Sequence, residues 1–160
     1  MIESSKAKLD VLDRKILNVL QTEGRLSNAE LAKRLNLSPP ATHARVKRLE
    51  HEGIIHQYAA LVDRHRLGID TLCFVEFSLQ LHSIEQIQSI LATVNSWPEV
   101  LECHNVTGEY DYLLKVAVRN TQALESFISQ RMIPLDGVAR IHTSMVLKEV
   151  KSTTAIILEE

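Results

Sequence analysis

Residues 27–51, SNAELAKRLNLSPPATHARVKRLEH, hold two short helical patterns that meet at a very short turn, and few folds accept that arrangement. In the first pattern, Asn28 to Leu35, Leu31 and Leu35 stand one turn apart with the small Ala32 beside them, which leaves room for a second helix to cross closely. The turn is Asn36-Leu37-Ser38. Ser38 is a good N-cap, and Pro39 falls at the first helical position, where its missing N–H costs nothing. In the helix that starts there, Thr42, Val46 and Leu49 recur at i, i+4 and i+7 and face a core, while Arg45, Lys47 and Arg48 are left to solvent or phosphate. This is the layout of a helix-turn-helix.

A helix lying in the major groove of duplex DNA reads bases mainly through its N-terminal residues. The candidate DNA-contacting residues are therefore Ser38, Pro40, Ala41, Thr42 and His43, with Arg45 long enough to reach a guanine edge and Lys47 and Arg48 placed for phosphates. The competing reading is an amphipathic helical hairpin with a solvated basic face, whose cations suit the negative end of the helix dipole.

Overall charge looks wrong for a DNA binder at −2, until the chain is divided after Arg66. Residues 1–66 carry 12 Lys+Arg against 8 Asp+Glu, a net +4, and residues 67–160 carry 6 against 12, a net −6. A phosphate backbone attracts the first part and repels the second, which points the acidic part toward assembly or ligand sensing. The N-terminus MIESSKAKLD has no apolar signal core, and no run approaches the ~18 apolar residues of a membrane span, so a cytoplasmic protein without a membrane partner is expected. Cys73 and Cys103 lie in apolar strand-like segments and read as reduced, buried thiols.

Upstream, Leu9, Leu12, Ile16 and Leu20 recur at helical spacing, and Gly24 is expected to end that helix. Gly53 stops the third helix, and the following IIHQYAALV reads as a strand, hence a short wing. The predicted division is a winged helix-turn-helix over 1–62, a linker over 63–70 and a second domain over 71–160. That second part reads as strand 72–81, helix 84–96, strand 100–107, strand 111–119, helix 121–133 and strand 138–150. The order βαββαβ predicts a ferredoxin-like α+β sandwich: an antiparallel four-stranded sheet with both helices on one face. Its first strand is apolar on both sides, Cys73, Val75, Phe77 and Leu79 on one and Leu72 and Phe74 on the other, so a homodimer through the open sheet face is expected.

Between the central strands, Thr107-Gly108-Glu109-Tyr110-Asp111 crowds polar groups at a turn. A hairpin turn alone explains them. An amino acid needs N–H groups or hydroxyls for its carboxylate and an anion for its ammonium, and Thr107, the Gly108 N–H and Asp111 offer both. His51, His56, His65, His82, His104 and His142 are scattered singly, so no metal site is expected. The five glycines are isolated, so no phosphate loop or dinucleotide fingerprint is present and no cofactor is expected. No catalytic constellation is found. A small amino-acid-metabolising enzyme built around Asp111, Glu109 and His104 stands as the rival from another class, and a purely architectural DNA protein as a third reading.

Three segments, LDRKILNVLQTEGRLSNAELAKRLNLSP, RVKRLEHEGII and VTGEYDYLLKVAV, with EVK at 149–151, resemble the Lrp/AsnC family of feast/famine regulators over nearly the whole length. The resemblance implies a DNA-binding, nucleoid-associated transcriptional regulator with a hinge strand and a ferredoxin-like sensing domain. It also implies dimers that assemble into tetramers, octamers or larger discs, and an amino-acid effector such as leucine or methionine bound between dimers. The effector residues it implies are Gly108, Glu109, Tyr110 and Asp111 of the loop together with Thr143 and Ser144. Pro39-Pro40 and Thr42-His43 depart from the family's pattern, so no relative's operator is assumed; Ser144 and Met145 leave the effector open.

Overall fold

The computed structural model describes residues 8–80 and 83–159. They separate into two compact units: the described residues of Met1–Leu61 with Lys151–Glu160, and Val62–Val150. No described helix is long and apolar enough to cross a membrane.

The first unit is built on α1 (Val11–Leu20), α2 (Asn28–Arg34) and α3 (Pro39–His51). Asp10 caps α1 in a reciprocal box with Asp13, and Ser27 caps α2 with Glu30 in the same way, each pair satisfying two backbone donors that the first turn leaves open. Asn36 makes the tight turn possible. It takes φ 54°, a left-handed conformation that asparagine tolerates, and so ends α2 with Leu37 N–H donating to Ala32 O at 2.9 Å and Asn36 N–H to Lys33 O at 3.3 Å. Ser38 then caps α3, with proline in its first turn. Gly53, at φ 70°, closes α3 by the same motif, Ile54 N–H reaching Leu49 O at 2.9 Å. Ile16, Leu17, Leu31 and Leu49 form the buried centre, joined by half-buried Leu9, Leu35, Val46, Ile54 and Leu158.

Two expectations in this unit are corrected. Gly24 is not the cap of α1, which ends at Leu20 with Gln21 as its C-cap. The segment 54–62 forms no strand, because no described strand lies beside it to complete a ladder; Leu61 and Val62 stand 80% and 69% exposed.

The second unit contains β1 (Thr71–Leu79), α4 (Ile84–Asn95), β2 (Val100–Asn105), β3 (Tyr112–Val118), α5 (Thr121–Phe127) and β4 (Val138–Met145). The sheet order is β2-β3-β1-β4 and every pairing is antiparallel. Cys73, Val75, Phe77, Leu114, Val116 and Val118 alternate onto the helix-bearing face, where Ile90 and Val94 of α4 and Phe127 of α5 meet them. Residues 128–132 continue α5 as one π-helical stretch, bringing Met132 into the same core. The predicted ferredoxin-like sandwich is the architecture found. The last strand ends at Met145 rather than at 150, and the final residue predicted for the first strand, Leu81, lies outside the described residues, as does His82.

The structure alters three further readings. The predicted linker is ordered: Arg64 donates to Ile69 O at 3.0 Å and to Asp70 O at 2.9 Å, and pairs with Glu149 at 2.8 Å, so these residues fold with the second unit. The segment from Lys151 onward, expected with the second domain, groups with the first unit instead. The open sheet face is not a continuous apolar surface. By register, Glu76 stands between Leu113 and His142, and Lys115 between Phe74 and Glu102, so charge alternates with apolar side chains. Both cysteines are free and packed on the helix side. Burial pushes the Cys73 thiol up to about 11 and raises Cys103 as well, which keeps both protonated at neutral pH.

Candidate nucleic-acid interface and effector pocket

Pro40, Ala41, His43 and Ala44 are exposed at the N-terminal end of α3, as is the capping residue Ser38. His43 is oriented by Asn28 of α2, whose Nδ2 lies 2.9 Å from Nδ1 of the ring. Thr42 does not belong with them. It is fully buried and its hydroxyl donates to Ser38 O at 3.2 Å, because the stripe that includes Leu49 turns it inward.

The arginines also have an arrangement that charge counting does not reveal. Arg45 Nη1 lies 2.6 Å from Asp10 and 2.8 Å from Asp13, and Arg48 Nη2 pairs with the other Asp13 oxygen. Asp13 is 1% exposed, so one buried carboxylate ties α1 to two guanidinium groups of α3. The Asp13 backbone N–H holds the Asp10 carboxyl below its ordinary pKa, with Arg45 as the next cause, and Asp10 and Asp13 in turn raise Arg45. Sequence reasoning passed over Asp13. The signal was present, since an aspartate between Leu9 and Ile16-Leu17 on the apolar stripe of α1 needs a buried partner. Lys47 is the more open cation, 64% exposed and paired with Glu50 at 2.9 Å.

In the second unit a hollow of about 340 Å³ is lined by Glu76, Val106, Thr107, Glu109, Tyr110 and His142. Gly108 shapes its rim at φ 132°, a conformation unfavourable for any residue with a Cβ. Arg140 Nη1 lies 3.0 Å from the Glu109 carboxylate and its guanidinium stands 5.4 Å from the Tyr110 ring centre, while His142 stacks on that ring at 6.1 Å. The hollow thus offers two carboxylates for an ammonium, a hydroxyl for a carboxylate and an aromatic wall, while Arg140, outside its lining, is held on Glu109.

Of the predicted effector residues, Thr107, Glu109 and Tyr110 line this hollow and Gly108 adjoins them, but others are placed elsewhere. Asp111 is occupied in holding strands: its Oδ2 accepts from the Leu79 N–H at 2.8 Å, and its carbonyl accepts from the Val106 N–H at 2.9 Å. Glu76, missed in the sequence because it stands in a strand far from the loop, supplies a carboxylate in its place. Ser144 contacts His142 at 3.3 Å on the open face, whereas Thr143, one residue away on a strand, lines a separate hollow with Leu124 and Ile128. Among the described residues no group of His, Cys, Asp and Glu is arranged to hold a metal.

A helix-turn-helix with a capped reading helix and a ferredoxin-like unit with a polar pocket define a ligand-sensing transcriptional regulator. Residues 9–56 match the family described as winged helix-turn-helix DNA-binding, and residues 72–156 match the Lrp/AsnC ligand binding domain. The chain belongs to the Lrp/AsnC family of transcriptional regulators. It is 39% identical to the leucine-responsive regulatory protein of Salmonella typhimurium and 38% identical to that of Escherichia coli K12, each over 99% of both chains. Among solved structures it is similar to a transcriptional regulator of Neisseria meningitidis in complex with L-methionine, at 40% identity and a TM-score of 0.90 over 92% of this chain and 96% of that one. Escherichia coli AsnC follows at 33% identity and a TM-score of 0.84, covering 93% and 99%.

Proposed function

We propose that this regulator binds operator DNA through the N-terminal face of α3 and adjusts that binding to an amino acid held beside the 107–110 loop. The observation that carries the reading is the exposed face of Pro40, Ala41, His43 and Ala44 next to Lys47, set on a helix anchored by buried Thr42 and Leu49. Ser38, Pro40, Ala41 and His43 approach the bases and Lys47 a phosphate, while Arg45 and Arg48, paired with Asp13, chiefly position the helix. The effector is an amino acid, and the methionine complex of the Neisseria relative favours a side chain of that size. Its ammonium meets Glu76, and its carboxylate meets Thr107 and the Gly108 N–H; the Arg140–Glu109 pair holds the loop beside Tyr110, Ser144 supports His142, and Asp111 braces the loop.

A homodimer, assembling further to tetramers, octamers or larger discs, presents two reading helices about one helical turn apart, roughly 34 Å. Within the second unit, Val62, Leu147 and Val150 are 69%, 93% and 90% exposed and supply apolar side chains for assembly outside the sheet face, and the unpaired 54–62 segment supports pairing with a second copy. The effector acts by preferring one assembly state over another. Work of this kind belongs in the cytoplasm on nucleoid DNA and needs no catalytic step.

Calorimetry against a panel of amino acids, followed by mobility shift on the protein's own upstream region, tests the reading. Binding of leucine or methionine that is lost in Glu76→Gln and Glu109→Gln supports it. Amino-acid binding that never appears, with DNA binding intact, leaves the architectural function alone.

A further inference from the structure

The DNA reading makes no use of α1 outside its acidic N-terminus, yet that helix carries side chains that grip a peptide backbone. Asn18 donates from Nδ2 to the Leu158 carbonyl at 2.9 Å and accepts the Leu158 N–H on Oδ1 at 3.1 Å. Gln21 repeats the pattern on Ile156, donating to its carbonyl at 2.9 Å and accepting its N–H at 2.7 Å. Arg14 Nη1 donates to the Glu159 carbonyl at 3.1 Å.

The spacing on both partners explains the match. Positions 14, 18 and 21 form one stripe of a helix, and residues 156 and 158, two apart in an extended segment, present their backbone groups along one edge. The Leu158 side chain packs against the cluster of Ile16, Leu17, Leu31 and Leu49, while Ile156 and Ile157 remain 70% and 89% exposed. Four backbone groups are thus read by two amides, and a single apolar side chain is read by a core that is small without it. A surface built this way recognises a strand by its backbone and one anchor.

We infer that the Arg14-Asn18-Gln21 stripe of α1 is a peptide-binding surface whose ligand is this chain's own C-terminal segment Ala155–Glu159. The segment seats as a detachable strap that completes the core of the N-terminal unit. Its contacts are five hydrogen bonds, three of them exposed, and one apolar anchor, Leu158, so the strap opens without unfolding the helices beneath it. Because the second unit is entered after Leu61 and left before Lys151, closing the strap gives that unit two chain connections to the first instead of one. The inference stands independently of what α3 binds.

Amide hydrogen exchange by NMR on the full-length protein, without DNA, tests it. The Ile156 and Leu158 amides are expected to be protected, and the double variant Asn18→Ala/Gln21→Ala to speed their exchange about tenfold or more. Leu158→Asp should make the C-terminus a fast substrate for carboxypeptidase, whereas Ile157→Ser should change neither readout. Fast exchange in the unaltered protein, or protection untouched by the double variant, overturns the proposal. Protection that disappears on dilution also overturns it, because the strap would then come from a second copy.

Discussion

Replacing Asp13 with asparagine preserves shape and removes the charge shared by two arginines of the reading helix. The carboxylate is 1% exposed, but the Arg45 and Arg48 side chains are 26% and 45% exposed, so water screens both pairs from the arginine side. Breaking a fully buried pair costs ~3–5 kcal/mol. An exposed pair contributes ~0.2–1 kcal/mol. With Arg45 keeping its second partner, Asp10, the loss in Asp13→Asn should fall between those limits, at about 2 kcal/mol. For a unit of this size that lowers the melting temperature by roughly 8–16 °C. Urea or thermal unfolding of the full chain, with exchange of the α3 amides reporting the N-terminal unit, measures it. DNA affinity should fall on specific and random duplexes alike, because the support of the whole helix is weakened. Suppose instead that Asp13→Asn melts within about a degree of the parent while Arg45→Ala loses ~1–3 kcal/mol of discrimination on the operator only. Arg45 would then be a base reader, and the positioning argument would be refuted.

Three further outcomes are expected. Lys47→Ala should weaken binding to all sequences and reduce the slope of log affinity against log salt by about 0.9, measured by fluorescence anisotropy over a salt series. Asp111→Ala should destabilise the second unit by about 1 kcal/mol, because the Leu79 N–H loses its acceptor; Asp111→Asn, which still offers an oxygen, should recover most of that loss in urea unfolding. The lowered pKa of Asp10 carries a definite sign: its contribution is present above the ordinary aspartate range and is lost as pH falls through the depressed folded value. The N-terminal unit should therefore weaken below about pH 4, and Asp10→Asn should flatten that part of the urea-midpoint profile against pH.

The fold was largely legible because its signals are local. Ser38-Pro39 announces a helix start, Gly53 a helix end, and the βαββαβ order of the second part an antiparallel sheet with both helices on one face. What escaped the sequence was long-range pairing. Asp13 finds Arg45 and Arg48 across two helices, and Glu76 reaches the hollow beside the 107–110 loop from a strand distant from it in sequence. Asp111 looked like the anion of a binding loop because its type and position suited that role, but a neighbouring strand's N–H had already claimed its carboxylate. Thr143 and Ser144 were both implied by the family resemblance, and as neighbours on one strand they point to opposite faces. The tail was assigned with the second unit by continuity of the chain, while its Leu158 packs under α1.

The most direct test is a titration of the purified protein onto a labelled duplex from its own upstream region, run with and without leucine or methionine. The account predicts salt-dependent binding that is tighter than on a random duplex and shifts when the amino acid is added. Equal affinity for every duplex, unchanged by any amino acid, would contradict it.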